Sequence, residues 1–167
     1  MKAIQEKTKK ELTTTAVKKR YQALYTEFQG ARRTDLTESL RGHYGWGTSR
    51  SNEAITQYLM FLSLAAHYTD PKTLLGLVPT ADVDRVWEMD ILNNTARYMQ
   101  LCQQLCGRVI HHVGATEFNR SSNTKSVEVS FAWTSGLFSQ YFGDRALGKA
   151  PRAAACGVLI EKTSPVR

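Results

Sequence analysis

The stretch Val78–His112, VPTADVDRVWEMDILNNTARYMQLCQQLCGRVIHH, decides how this chain is read. Thr80 is a natural N-cap, Asp82 sits in the first turn behind it, and Val83, Val86, Trp87 and Ile91 recur at helical spacing. Asn93-Asn94 followed by Thr95 marks a break and a fresh cap. Tyr98, Leu101, Cys102 and Leu105 then form a second apolar face that stops at Gly107. Two amphipathic helices back to back, with no βαβ rhythm on either side, predict a mainly α fold.

The flanks extend the same pattern. Val17, Tyr21, Leu24, Tyr25 and Phe28 make an apolar stripe that Gly30 can stop, whereas residues 1–12 offer only Ile4 and Leu12 for burial. Residues 41–48, RGHYGWGT, read as a glycine-punctuated connection. Ser49 or Ser51 caps the next helix, with Glu53 in its first turn. Ile55, Tyr58, Leu59, Leu62, Ala65 and Ala66 carry that helix to about Tyr68, before a break at Asp70-Pro71. Leu74–Pro79 is a short apolar connection and residues 113–124 a polar loop. Phe131, Thr134, Leu137, Phe138, Tyr141 and Phe142 mark a last main helix that ends at Gly143. Beyond it, only Val158, Leu159 and Ile160 form a brief extended apolar run. The expectation is a bundle of four to five helices with room for one short strand near the C-terminus. It divides into a basic helical segment (1–33), a helical core (34–143) and an irregular tail (144–167).

A chain of 167 residues can bury a proper core without covalent staples. No apolar run reaches the length of a membrane span, and MKAIQEKTKKELTTT carries no secretory h-region, so a cytoplasmic location is expected. Cys102, Cys106 and Cys156 form no CxxC pair; they are expected to be reduced, with Cys102 buried as a small hydrophobe. The net charge of +7 is concentrated. Residues 1–33 hold nine basic side chains against three acidic ones, leaving 13 and 12 for the remaining 134 residues. Any electrostatic partner surface therefore belongs to the basic patch of Lys9, Lys10, Lys18, Lys19, Arg20, Arg32 and Arg33. Such a patch could touch phosphates in a salt-dependent way, but no zinc-finger or RRM signature accompanies it, and a solvated helix face is the plainer reading.

The chemistry-bearing groups cluster in the opening stretch. Asp82, Asp84, Glu88 and Asp90 lie within nine residues. Helical geometry puts Asp84 and Glu88 on one face. It turns Asp90 about 200° away from Glu88, beside Trp87 and Ile91, where a carboxylate is either at a rim or paired with a cation such as Arg97 or Arg108. His111 and His112 are adjacent, so their side chains diverge and at most one joins a given site. The plain reading is a solvated acidic face with one structural ion pair and no bound metal or cofactor. The sharper alternative is a divalent-metal or acid–base site in which Asp84 and Glu88 meet His111 or His112. HExxH, GxxxxGK[ST], GxSxG and GxGxxG are all absent, which argues against the common hydrolase, kinase and dehydrogenase designs.

Taken in order, these residues resemble the glycine-rich domain-containing protein-like family, whose pattern includes P-x-x-x-[VI]-D-x-x-W-H-x-H-x-L, Y-x-x-x-C and a glycine before His-His. Tyr58, Phe61 and Leu62 match its first aromatic helix. Pro79, Val83, Asp84, Trp87, Ile91 and Leu92 match the central block, and Tyr98, Cys102, Gly107, His111 and His112 follow. Phe138, Tyr141, Phe142 and Gly143 resemble its closing segment, so the likeness covers roughly residues 40–143. Where the pattern has W-H-x-H, this chain has Trp87-Glu88-Met89-Asp90, and the spacing from Trp87 to Tyr98 is one residue longer. Carboxylates in place of imidazoles can still hold hard cations. The resemblance implies a helical domain and no particular reaction. The leading functional expectation is accordingly a non-enzymatic domain that binds another macromolecule, a protein partner first. It would use the basic N-terminal helix and a surface around Asp84, Trp87, Glu88, Asp90, His111 and His112. The alternatives are a metal-dependent enzyme or metal-binding protein using Asp84, Glu88 and His111 or His112, and nucleic-acid binding through residues 1–33.

Overall fold

The computed structural model describes residues 2–68, 76–121 and 127–159, with the side chains of residues 2–10, 12, 121 and 159 outside that description. The break at Asp70-Pro71 and the start of the 74–79 connection also lie outside the described residues. The architecture is mainly α: α1 (Lys2–Glu27), α2 (Ala31–Tyr44), α3 (Thr48–Tyr68), α4 (Ala81–Asn93), α5 (Thr95–Cys106), α6 (Ala115–Ser121) and α7 (Val127–Phe142). Two short strands, β1 (His111–Gly114) and β2 (Cys156–Leu159), pair antiparallel with His112 opposite Val158 and Gly114 opposite Cys156.

The centre is α3. Its residues from Phe61 to Ala66 are all buried, so this helix is covered on every side, and α1, α2, α4, α5 and α7 all pack against it. Val17 and Leu24 of α1, with Phe28 just after it, join the same core as Leu59, Trp87 and Phe138, so the basic N-terminal helix is part of the packed body.

Several local expectations change. Residues 41–44 are not connection but the last turn of α2, because Leu36 and Leu40, one turn apart, anchor that helix in the core. It stops at Gly45, whose φ of 67° suits the left-handed cap that glycine adopts without strain. Neither Ser49 nor Ser51 caps α3: the helix already starts at Thr48, and Ser51 donates its backbone N–H to Gly47. Thr80 does cap α4 through Val83 N–H, and Asn94 caps α5 through Arg97 N–H. The 113–124 loop is replaced, within its described part, by the end of β1 and by α6. Tertiary packing wins there: Phe118 of α6 is fully buried and lies so close to Gly157 of β2 that a side chain at Gly157 would collide with its ring. The tail also gains order. The Ala81 N–H donates to the Arg152 carbonyl, Ala154 N–H to Pro79 and Val158 N–H to Leu77, which lays residues 152–158 along the entrance to α4. Among the described residues, seven helices and two strands thus stand where the sequence predicts four to five helices and room for one short strand.

Candidate metal centre

Two carboxylates of α4 meet opposite fates. Asp90 is fully buried, and all its hydrogen-bonding capacity is taken up. Arg32 grips it from α2, with Nη2 at 3.1 Å from Oδ1 and 2.9 Å from Oδ2 and a longer bond from Nε, while the Tyr58 hydroxyl donates to Oδ2 at 2.9 Å. Arg32 in turn donates to Glu27 and lies over the Phe28 ring, 3.8 Å from its centroid. Burial, followed by the neighbouring Asp90 charge, pushes the Tyr58 hydroxyl far above its ordinary pKa, which keeps it a donor. The cation that pairs with Asp90 is therefore Arg32, not Arg97 or Arg108. A bidentate guanidinium with an added phenol is the arrangement that makes a buried carboxylate tolerable.

Asp84 lies nearly two turns earlier, on the other side of the helix. Its Oδ1 is shared by two donors from the small sheet: His112 Nε2 at 2.6 Å from β1 and Cys156 Sγ at 2.9 Å from β2. The ligand-capable atoms of Asp84, His112 and Cys156 all lie within 4.8 Å of one another. The side chains of Asp84 and His112 remain 19% exposed, while Cys156 is only 2% exposed, so water reaches the group from one side. Burial raises the Cys156 thiol pKa, and the hydrogen bond to Asp84 and the charges of Asp84 and Glu88 raise it further, so the sulfur carries its proton here.

The core aims the imidazole. Trp87 is fully buried and meets the His112 ring edge to face at 4.7 Å between centroids. The Trp87 indole N–H donates to the Tyr98 hydroxyl at 2.8 Å, and that hydroxyl donates to the Ile110 carbonyl just before β1. One chain of contacts thus runs from the α4–α5 pair to the strand that carries His112.

The expected site residues separate accordingly. Asp84 and His112 come together. Trp87 and Asp90 are not surface groups at all, because the apolar face of α4 carries them inside. Glu88 shares the Asp84 face, as helical spacing requires. It sits beside the Tyr44 hydroxyl, whose pKa rises first through burial and then through the Glu88 charge. His111 faces away from Asp84 along the strand alternation and is engaged elsewhere. Of the basic patch, Lys18 and Lys19 are exposed. Arg20 turns inward to the Leu105 carbonyl and His67 Nδ1, Arg32 is buried, and Arg33 bonds Asn52. The side chains of Lys9 and Lys10 lie outside the described residues.

Cys156 was not foreseen. It stands 72 residues from Asp84 in a tail whose sequence shows only a brief apolar run, and the sole available hint was a thiol at the head of that run. Cys102, Cys106 and Cys156 are all free thiols, with Cys102 buried against Tyr98 and the Ile110 backbone. No described helix is long and apolar enough to cross a membrane. Compared with protein-family models, curated proteins and solved structures, the chain gives no match.

Proposed function

We propose that this chain is a metal-binding protein that holds one divalent ion of the zinc class between Asp84, His112 and Cys156. The observation that carries this reading is the convergence of a carboxylate, an imidazole and a thiol from three separate elements within 4.8 Å. The donor set selects the metal. Thiolate and imidazole are poor partners for Mg2+ and Ca2+ but suit Zn2+ and its neighbours, so Cys156 moves the expected ion from the hard to the borderline-soft class. Two hydrogen bonds now join the three donors at Asp84 Oδ1. An ion would replace the thiol proton and take the imidazole Nε2 in its unprotonated form, so metal uptake would release at least the thiol proton. Three protein ligands leave a fourth tetrahedral position for water or an outside ligand, the arrangement of zinc sites that act on something rather than merely brace a fold. Glu88, on the same face, stands where a proton acceptor would be useful.

The test is elemental analysis of purified protein with a thermal-shift scan over Zn2+, Co2+, Ni2+, Mn2+ and Mg2+. One zinc-class ion per chain is expected. It should be lost in His112→Ala and Cys156→Ser, and the melting temperature should rise with Zn2+ but not Mg2+. Metal that persists in both variants, or a wild-type protein indifferent to all five ions, would sink the reading.

A second reading, docking of a protein partner, draws on Leu92 and Met99, apolar side chains that are 72% and 47% exposed. If it holds, Leu92→Asp with Met99→Asp should abolish the association while leaving the melting temperature in place.

A further inference from the structure

Residues 149–158 form a strap that crosses the entrance to α4 and runs into β2. Just before it, Ala146 and Leu147 pack against the core, and Gly148 turns the chain with a φ of 78°. Residues 149–153 are then exposed without interruption. From there the strap lies between two edges of the body. On one side Ala81 N–H donates to the Arg152 carbonyl, Ala154 N–H to Pro79 and Val158 N–H to Leu77, with Thr80 bridged to Ala153. On the other side β1 pairs with β2, and Ala115 N–H donates to Ala155.

What holds the strap is mostly backbone. Ala154, Cys156 and Val158 alternate along it and are buried, but all three side chains are small, so the apolar surface they remove from water is limited. Gly157 meets the Phe118 ring with no side chain of its own. The backbone bonds exchange for bonds to water when the strap lifts, so each contributes little net. Cys156 is the middle one of the three buried side chains, and its Sγ reaches across the strap boundary to Asp84 Oδ1 at 2.9 Å. The candidate ligands therefore divide between two parts of the molecule. Asp84 on α4 and His112 on β1 belong to the body, and Cys156 belongs to the strap.

We propose that the ion is the fastening of this strap, and that the protein is a metal-responsive switch whose moving part is residues 149–158. The inference rests on the metal reading above and adds its regulation. An ion that needs all three ligands in place binds the fastened form and not the lifted one, so it shifts that equilibrium by its own binding energy. At a free ion concentration about 100 times the Kd, the shift is about a hundredfold. Loss of the ion lifts the strap, which uncovers the Phe118 ring and leaves the backbone edges at residues 77–81 and at β1 without their partner.

Hydrogen exchange on the whole chain, without metal and with Zn2+ at about 100 times the Kd found by calorimetry, tests this. The amides of Ala81, Ala115, Ala154 and Val158 bond across the strap boundary and report its attachment. Without metal they should exchange faster than the buried amides of α3, and Zn2+ should slow them about a hundredfold. The Gly45 amide, bonded to Arg41 at the end of α2, should keep its rate. Asp84→Asn leaves the strap sequence intact and should lose the Zn2+ response. Val158→Ala should speed exchange at Ala81, Ala115 and Ala154 in the metal-free protein while keeping that response. One Zn2+ bound per chain with no slowing at these amides, or metal-free rates equal to those of α3, would overturn the switch and leave the metal site standing. No Zn2+ binding in the calorimeter would overturn both.

Discussion

Asp90 and Asp84 belong to one helix of 13 residues, yet one is a structural group and the other is part of a candidate site. The difference lies in how completely each is answered. Around Asp90, a guanidinium and a phenol take up both oxygens, and the donors are themselves locked by Glu27 and Phe28. Around Asp84, a thiol and an imidazole crowd onto one oxygen, and Oδ2 has no partner among the described residues. A fully satisfied buried charge leaves nothing for a ligand. A carboxylate whose neighbours are themselves potential metal ligands does.

The largest effect should come from breaking the satisfied member. Asp90→Ala strands the Arg32 guanidinium in the interior and removes the acceptor of Tyr58, so unfolding should cost about 3–5 kcal/mol less than in the wild type. Chemical denaturation measures it. A loss below about 1 kcal/mol, the range of surface pairs, would mean that Arg32 finds water and that the two carboxylates are not different in kind.

Next is the link between core and site. Trp87→Phe keeps most of the ring volume but removes the donor to the Tyr98 hydroxyl, and about 1–3 kcal/mol of destabilisation is expected. Because the Trp87 ring also props His112, the same variant should weaken zinc-class binding, whereas an unrelated core variant of equal stability cost should not. Equal metal affinity in both would cut the connection drawn through Tyr98 and Ile110.

A weaker version of the Arg32–Asp90 device joins α1 to the body. Arg20 donates to the Leu105 carbonyl near the end of α5 and lies 3.3 Å from His67 Nδ1 at the end of α3, so a cation meets the C-terminal turns of two helices. Burial, then the Arg20 charge, lowers the His67 pKa below its ordinary 6.5. The folded state therefore binds this proton less readily than the unfolded chain. Stability from this group is whole above about pH 6.5, the unfolded value, and declines as pH falls toward the folded value. His67→Gln should flatten the decline in melting temperature between pH 7.5 and 5.5 relative to wild type; parallel curves would remove His67 from the account.

The sequence made the frame of this molecule legible wherever information was local. Thr80 and Asn94 announce their helices because a cap needs only three residues to act, and the Trp87 face follows from spacing alone. Gly42 misled, since a glycine inside a helix looks the same as one in a connection until Leu36 and Leu40 are seen to be buried. The pairings that decide chemistry are not local. Arg32 lies 58 residues from Asp90, and Cys156 lies 72 from Asp84, so neither spacing nor periodicity could connect them. Helical geometry did separate Asp90 from the Asp84–Glu88 face, and that separation is the structural fact on which the site depends.

The smallest expected effect tests where the site ends. Glu88 is partly exposed on the Asp84 face, forms no ion pair among the described residues, and lies close enough for its charge to act on Cys156. Glu88→Gln keeps the volume and removes the charge, so stability should change by less than about 1 kcal/mol, as for other surface carboxylates. The Cys156 thiol loses one of the charges that hold its proton, and thiol titration at fixed pH should find it slightly more reactive, though burial still dominates. Metal content separates the two roles open to this carboxylate. If Asp84, His112 and Cys156 are the whole ligand set, Glu88→Gln retains its ion. If Glu88 fills the fourth position, the ion is held more weakly, the metal-induced rise in melting temperature shrinks, and the coordination sphere closes against outside ligands.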